Sequence, residues 1–253
     1  MKLRSQKWQL AWFMAALVGM AAPALAMVLI VNAHARISSA PFPLAQFGGP
    51  ILAVGLMGAG MIGAAAASRL GVGILLALLT GAGLVGLARV LGMPPLPNPV
   101  SLGLAVVIAS TSFAARGALF ARSASDKGWW IALLVIAGEV SIVLTALAAP
   151  EALPDWLLAL LPAQWASVAI QTALTGPGAL AAGSAMLALA GTAAATLLVA
   201  WLWPQRWPYL VMFTAWLALS ALVLHQPGPP LPRADSAIVE PLHAGSLASM
   251  RSA

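Results

Sequence analysis

The chain has 253 residues, 62% of them hydrophobic and only 7% charged, where a soluble domain carries about 25% charged side chains. So few charges cannot cover a water-facing surface of this size, which excludes soluble enzymes. The net charge of +6 does not point to nucleic acid, because Lys and Arg sit at the ends of apolar runs, where they encode membrane topology.

The absence of cysteine removes disulfides, Cys-ligated zinc, iron–sulfur clusters and thiol catalysis. The bias to Ala, Gly and Arg over Lys fits a bacterium with GC-rich codons.

In chain order, Lys2, Arg4 and Lys7 precede an apolar run from Trp8 to Val31. Ala24-Leu25-Ala26 resembles a signal-peptide cleavage site, but a run of about 24 residues has the length of a first membrane span. The expectation is an uncleaved helix. Asn32 to Gly49 reads as a polar, proline-bearing connection. A second span is expected over 50–67, with Gly55, Gly58, Gly60 and Gly63 as a helix-packing face. In lipid, close backbone contact rather than a hydrophobic drive must hold helices together.

Ser68-Arg69 makes a short turn into a third span, 70–91. The stretch Gly92 to Pro99 is too rich in proline to be helical. A fourth span, 100–120, carries Ser110, Thr111 and Ser112 near its middle and Arg116 toward its end. After the polar loop Ala121–Gly128, the indoles of Trp129 and Trp130 open a fifth span, 130–149.

The segment 153–174 is ambiguous. Gln164, Ser167, Gln171 and Thr175 share one helical face, and Trp156 and Trp165 suit an interface. The expected structure is an amphipathic helix or broken hairpin lying in the membrane surface; the alternative is an eighth span. Spans 180–203 and 208–224 follow, joined near Arg206, and the Pro- and Ser-rich tail 226–253 is expected to be disordered.

Positive charges put the N-terminus inside under either count. Seven spans leave 8 Lys/Arg inside against 4 outside, and eight spans leave 9 against 3. The fold class is therefore an all-α membrane bundle of seven, possibly eight, spans, with seven preferred.

Glu139 is the one charge at the centre of an apolar segment, where it costs about 2.5–3.5 kcal/mol on insertion scales. Reflection about the loop near position 124 places Ser110, Thr111 and Ser112 at its depth. Arg116 lies about 9 Å nearer the cytoplasm at helical rise, within reach of a long side chain. Glu139 is thus a candidate proton carrier or cation ligand, with Ser110, Thr111, Ser112 and Arg116 around it. The structural alternative is a protonated, hydrogen-bonded tie between helices. His34 and His225 are weak metal candidates, because both would fall at the outer boundary in a seven-span chain but supply no third ligand.

No phosphate loop, Ser/His/Asp set or His-Glu-x-x-His motif is present. The sequence leads to a non-catalytic, permease-type or accessory subunit of a bacterial inner membrane, with no cofactor. Its partners would be the lipid bilayer and further membrane subunits or copies of itself. The alternative is a membrane enzyme on a lipid or isoprenoid substrate, with Glu139 as acid or base.

Overall fold

A computed structural model describes residues 2–37, 43–149, 152–176, 182–202 and 207–225. The tail 226–253 and Arg206 lie outside the described residues. Those described are all-helical, with no strand. Among the described residues, six helical stretches are long and apolar enough to cross a membrane: Gln9–Ala33, Phe47–Ala67, Leu70–Val90, Pro99–Ala148, Gly183–Trp201 and Trp207–His225. The molecule is a helical membrane protein.

Helices α1 (Lys2–Ala16) and α2 (Ala22–Ile37) join through a π-helical turn, Leu17–Ala21. Helices α3 (Pro43–Met57) and α4 (Gly63–Ala67) join through a second one, Gly58–Ile62. The expected connection Asn32–Gly49 is thus largely helical: α2 runs on past Asn32, and α3 begins before Pro50 and contains it. The two π turns meet. A Cβ added at Gly58 would lie 2.9 Å from the Gly19 nitrogen, and one at Gly19 would lie 2.8 Å from the Ala59 Cβ. Only small residues permit this backbone approach.

Ser68, in the left-handed conformation, ends α4, and α5 (Leu70–Val90) follows at once. Proline at its first turn starts α6 (Pro99–Ala124). The apolar stretch 99–148 is two helices. Ser125, at φ 49° and ψ −122°, turns the chain back into α7 (Gly128–Ala148). Arg116 and Glu139, 23 residues apart, would stand about 34 Å apart on one straight helix; their charged atoms are 3.7 Å apart.

The ambiguous segment forms a short α8 (Asp155–Ala159) and then α9 (Pro162–Thr175). Here the expected surface helix is corrected. Eleven of the fourteen residues of α9 are buried, and it packs chiefly on α3, with α6 and α10 on other sides. Its polar face serves the protein interior: Gln171 Oε1 accepts the Gly49 N–H at 2.8 Å, next to Pro50, which interrupts the helical ladder there. Trp165, expected at an interface, is fully buried and donates Nε1–H to the Ala159 carbonyl at 2.9 Å. Trp156 is exposed.

Helices α10 (Gly183–Trp201) and α11 (Trp207–His225) are the last of the described helices. Arg122, near the end of α6, donates to the carbonyl of Ala200, near the end of α10, so these two helices run parallel. Asn98, just before α6, donates to the carbonyl of Gly176, just after α9, at 2.8 Å. Helix α9 therefore runs opposite to α6.

Candidate functional site

Three contacts locate the start of α9. Ala163 N–H donates to Glu139 Oε2 at 3.0 Å, and Glu139 is the twelfth of the 21 residues of α7. Trp216, midway along α11, donates Nε1–H to the Leu160 carbonyl at 3.2 Å. Arg116 Nη1 lies 3.7 Å from Glu139 Oε1. The turn Leu160–Leu161 therefore sits halfway along its neighbours, while the other end of α9 reaches the level of Asn98. At fourteen residues, α9 is about 21 Å long. It is a half-length helix that begins inside the bundle.

The local sequence explains this start. Pro162 occupies the first helical turn, where its missing N–H costs nothing. The residue before it, Leu161, has no side chain able to cap; the Gln164 and Trp165 N–H groups donate to the Leu161 carbonyl, and the Ala163 N–H is left without a local acceptor. Glu139 supplies one from another helix. A carboxylate there also meets the positive end of the α9 dipole.

Arg116 and Glu139 are largely enclosed, with side chains 14% and 13% exposed. Glu139 lies on the buried face of α7, between Ile136 and Val143. The Arg116 guanidinium carbon also lies 5.7 Å from the centre of the Phe113 ring, in cation–π range. Among the described residues, Glu139 is the only polar side chain that meets Arg116.

The candidate hydroxyls behave differently from the expectation. Thr111 donates to Val107 of its own helix at 2.8 Å. Ser110 and Ser112 are buried, and their Oγ atoms have no hydrogen-bond partner; the same holds for Ser167 on α9. None of the three candidates bonds Glu139. The reflection about the loop gave depth along α6 but not direction around it. The donor that reaches Glu139 is a main-chain N–H, which has no side-chain signature; Pro162 after an apolar residue was the available signal. Ser112 does share a helical face with Arg116, four residues on.

The four expected packing glycines all lie in tight contacts. A Cβ at Gly55 would meet Leu84 and Gly19, one at Gly60 would meet Phe113 and Ala77, and one at Gly63 would meet Leu76. His225 is exposed at the end of α11, and the side chain of His34 lies outside the described residues. No group of three or more His, Asp or Glu able to hold a metal occurs among the described residues.

Chemically, a guanidinium and a helix N-terminus converge on one carboxylate. A cation brought to Glu139 would meet the Arg116 charge already beside it, so the geometry disfavours the cation-ligand role. No protein-family model, curated protein or solved structure matches the chain, and its functional reading rests on this geometry.

Proposed function

We propose that the chain is a permease-type or accessory subunit of a bacterial inner-membrane assembly, with no catalytic site of its own. In this reading it crosses the membrane seven times, with α6 and α7 as separate spans and the N-terminus in the cytoplasm. The pair α8–α9 enters from the outer side, turns at Leu161–Pro162 and returns. The charge distribution supports that orientation: with Arg116 inside the bundle, 7 Lys/Arg face the cytoplasm against 4 outside.

The observation that carries the reading is the half-length helix ending beside a buried charge pair. Non-helical backbone at membrane depth is tolerated where it is buried in protein or lines a water-filled cavity. Helix ends that point at a mid-membrane site are how transporters present fixed dipoles to a solute. The enzyme alternative would need a second acid or base beside Glu139, whose polar partners among the described residues are Arg116 and the Ala163 N–H.

The test uses the cysteine-free chain. Ala163→Cys in intact cells and inverted vesicles would be treated with a small, charged thiol reagent. A permease-type protein admits the reagent from one side. A cysteine that reacts only after denaturation would rule out an aqueous path to this site and leave the Glu139 pair as helix packing.

A further inference from the structure

We propose that Arg116 and Ser112, beside the Glu139-capped start of α9, form a binding site for an anionic oxygen group, carboxylate or phosphate, and that the anion enters with one proton. The proposal rests on the permease-type reading and names the solute class. Glu139 already shows the chemistry the site accepts: its carboxylate takes the Ala163 N–H at 3.0 Å and faces Arg116 at 3.7 Å.

Two further observations say that Glu139 does not use up the site. A guanidinium carries five N–H donors, and 3.7 Å is beyond hydrogen-bond length, so Arg116 is paired in charge but keeps donors to give. The buried Ser112 hydroxyl, one turn away on the same face of α6, has no partner. A buried hydroxyl left unpaired costs stability, and an oxyanion between Arg116 and Ser112 would accept from both.

Charge balance supplies the proton. Arg116 and Glu139 together are neutral. Adding an anion beside an ionised Glu139 would put two negative charges against one positive inside the bundle, which is costly in low dielectric. If the Glu139 carboxylate takes up one proton and becomes a carboxylic acid, the site is neutral again with the anion on Arg116.

Among the described residues, no other group near Glu139 offers to titrate. The elements packed on α7 are α6, α3, α4, α9 and the turns at 58–62 and 125–127. Apart from Arg116, their charged residues are Arg122, Asp126 and Lys127. Arg122 lies about 9 Å further along α6, and the turn lies about 18 Å from Glu139 along α7.

The test uses the full chain, purified. In a neutral maltoside detergent, sodium acetate and sodium phosphate are titrated in weak buffer with a pH-indicator dye, and unfolding temperature is followed. In a second arm, nanodiscs of phosphatidylglycerol are compared with nanodiscs of phosphatidylcholine. A response to the soluble anions assigns the site to free solutes, and a response to phosphatidylglycerol alone assigns it to lipid headgroups.

Binding should consume one proton per anion, and apparent affinity should fall about tenfold per pH unit on the alkaline side. Arg116→Gln should weaken binding at least about tenfold, while Arg116→Lys, which keeps the charge and the fold, should bind more tightly than Gln. Glu139→Gln should bind without taking up a proton. No response in either arm, undiminished binding by Arg116→Gln, or unchanged proton uptake by Glu139→Gln would each overturn the site. If anions fail to bind while Ala163→Cys is reachable from water, the site falls and the permease-type reading stands. An unreachable cysteine counts against that reading itself.

Discussion

Removing Glu139 alone should cost far more than removing it together with Arg116. Glu139→Leu leaves a guanidinium enclosed to 14% exposure with no counter-charge, and it strips the acceptor from the Ala163 N–H. Breaking a buried pair by deleting one partner costs about 3–5 kcal/mol, and losing a helix cap adds about 1 kcal/mol. The 3.7 Å separation and residual exposure reduce the first figure, so the total should be about 3–4 kcal/mol. Arg116→Met should cost less, because the remaining carboxyl keeps the Ala163 N–H and can become neutral by taking a proton. The double variant, Glu139→Leu with Arg116→Met, removes both charges and should be more stable than Glu139→Leu alone by at least 1.5 kcal/mol, on the order expected for partners in contact. Reversible unfolding in mixed detergent micelles, run on all four proteins, reads this coupling. If the double variant loses the sum of the two single losses, the pair does not interact and the site as described is wrong.

Three other outcomes follow from the packing. Gly58→Leu, which drives a side chain into the Gly19 backbone, should destabilise by about 1–3 kcal/mol, whereas Gly86→Leu, with nothing within 4 Å, should be neutral in the same assay. Gln171→Leu should cost about 0.5–1.5 kcal/mol by removing the buried hydrogen bond from the Gly49 N–H, and Gln164→Leu on the same helix should cost less than half of that. For orientation, Ser125→Cys should be labelled by an impermeant reagent in inverted vesicles and protected in intact cells, and Ser246→Cys should behave the opposite way if the chain crosses the membrane seven times.

The apolar stretches were readable because hydrophobicity over twenty residues leaves few other structures available in lipid. Arg116 was within reach of Glu139 by simple arithmetic of rise and loop position, and the structure brings the two together. The segment is broken at Leu161–Pro162, one of the two expected forms, but the expected surface position of α9 does not hold, for a physical reason. Gln164, Ser167 and Gln171 form a polar stripe, and a stripe in a sequence does not say whether water or protein answers it. In this fold the answer is partly the Gly49 N–H beside Pro50. Trp165 shows the same ambiguity, since an indole satisfied by a carbonyl suits a core as well as an interface. The loop reflection also gave no azimuth, which is why Ser110 and Thr111 share a depth range with Glu139 but do not bond to it.

In the proposed topology, 155–175 dips into the bundle and returns to the side it came from, with its turn at the Glu139–Arg116 pair. Cysteine labelling at both ends tests this most directly. Asp155 and Thr175 are exposed and flank the segment, so each can be replaced singly by Cys. Reaction of both Asp155→Cys and Thr175→Cys with an impermeant thiol reagent from the outer face of intact cells, with Ala163→Cys slower than either, is the predicted result. Labelling of the two ends from opposite faces would make the segment an eighth span and contradict the account.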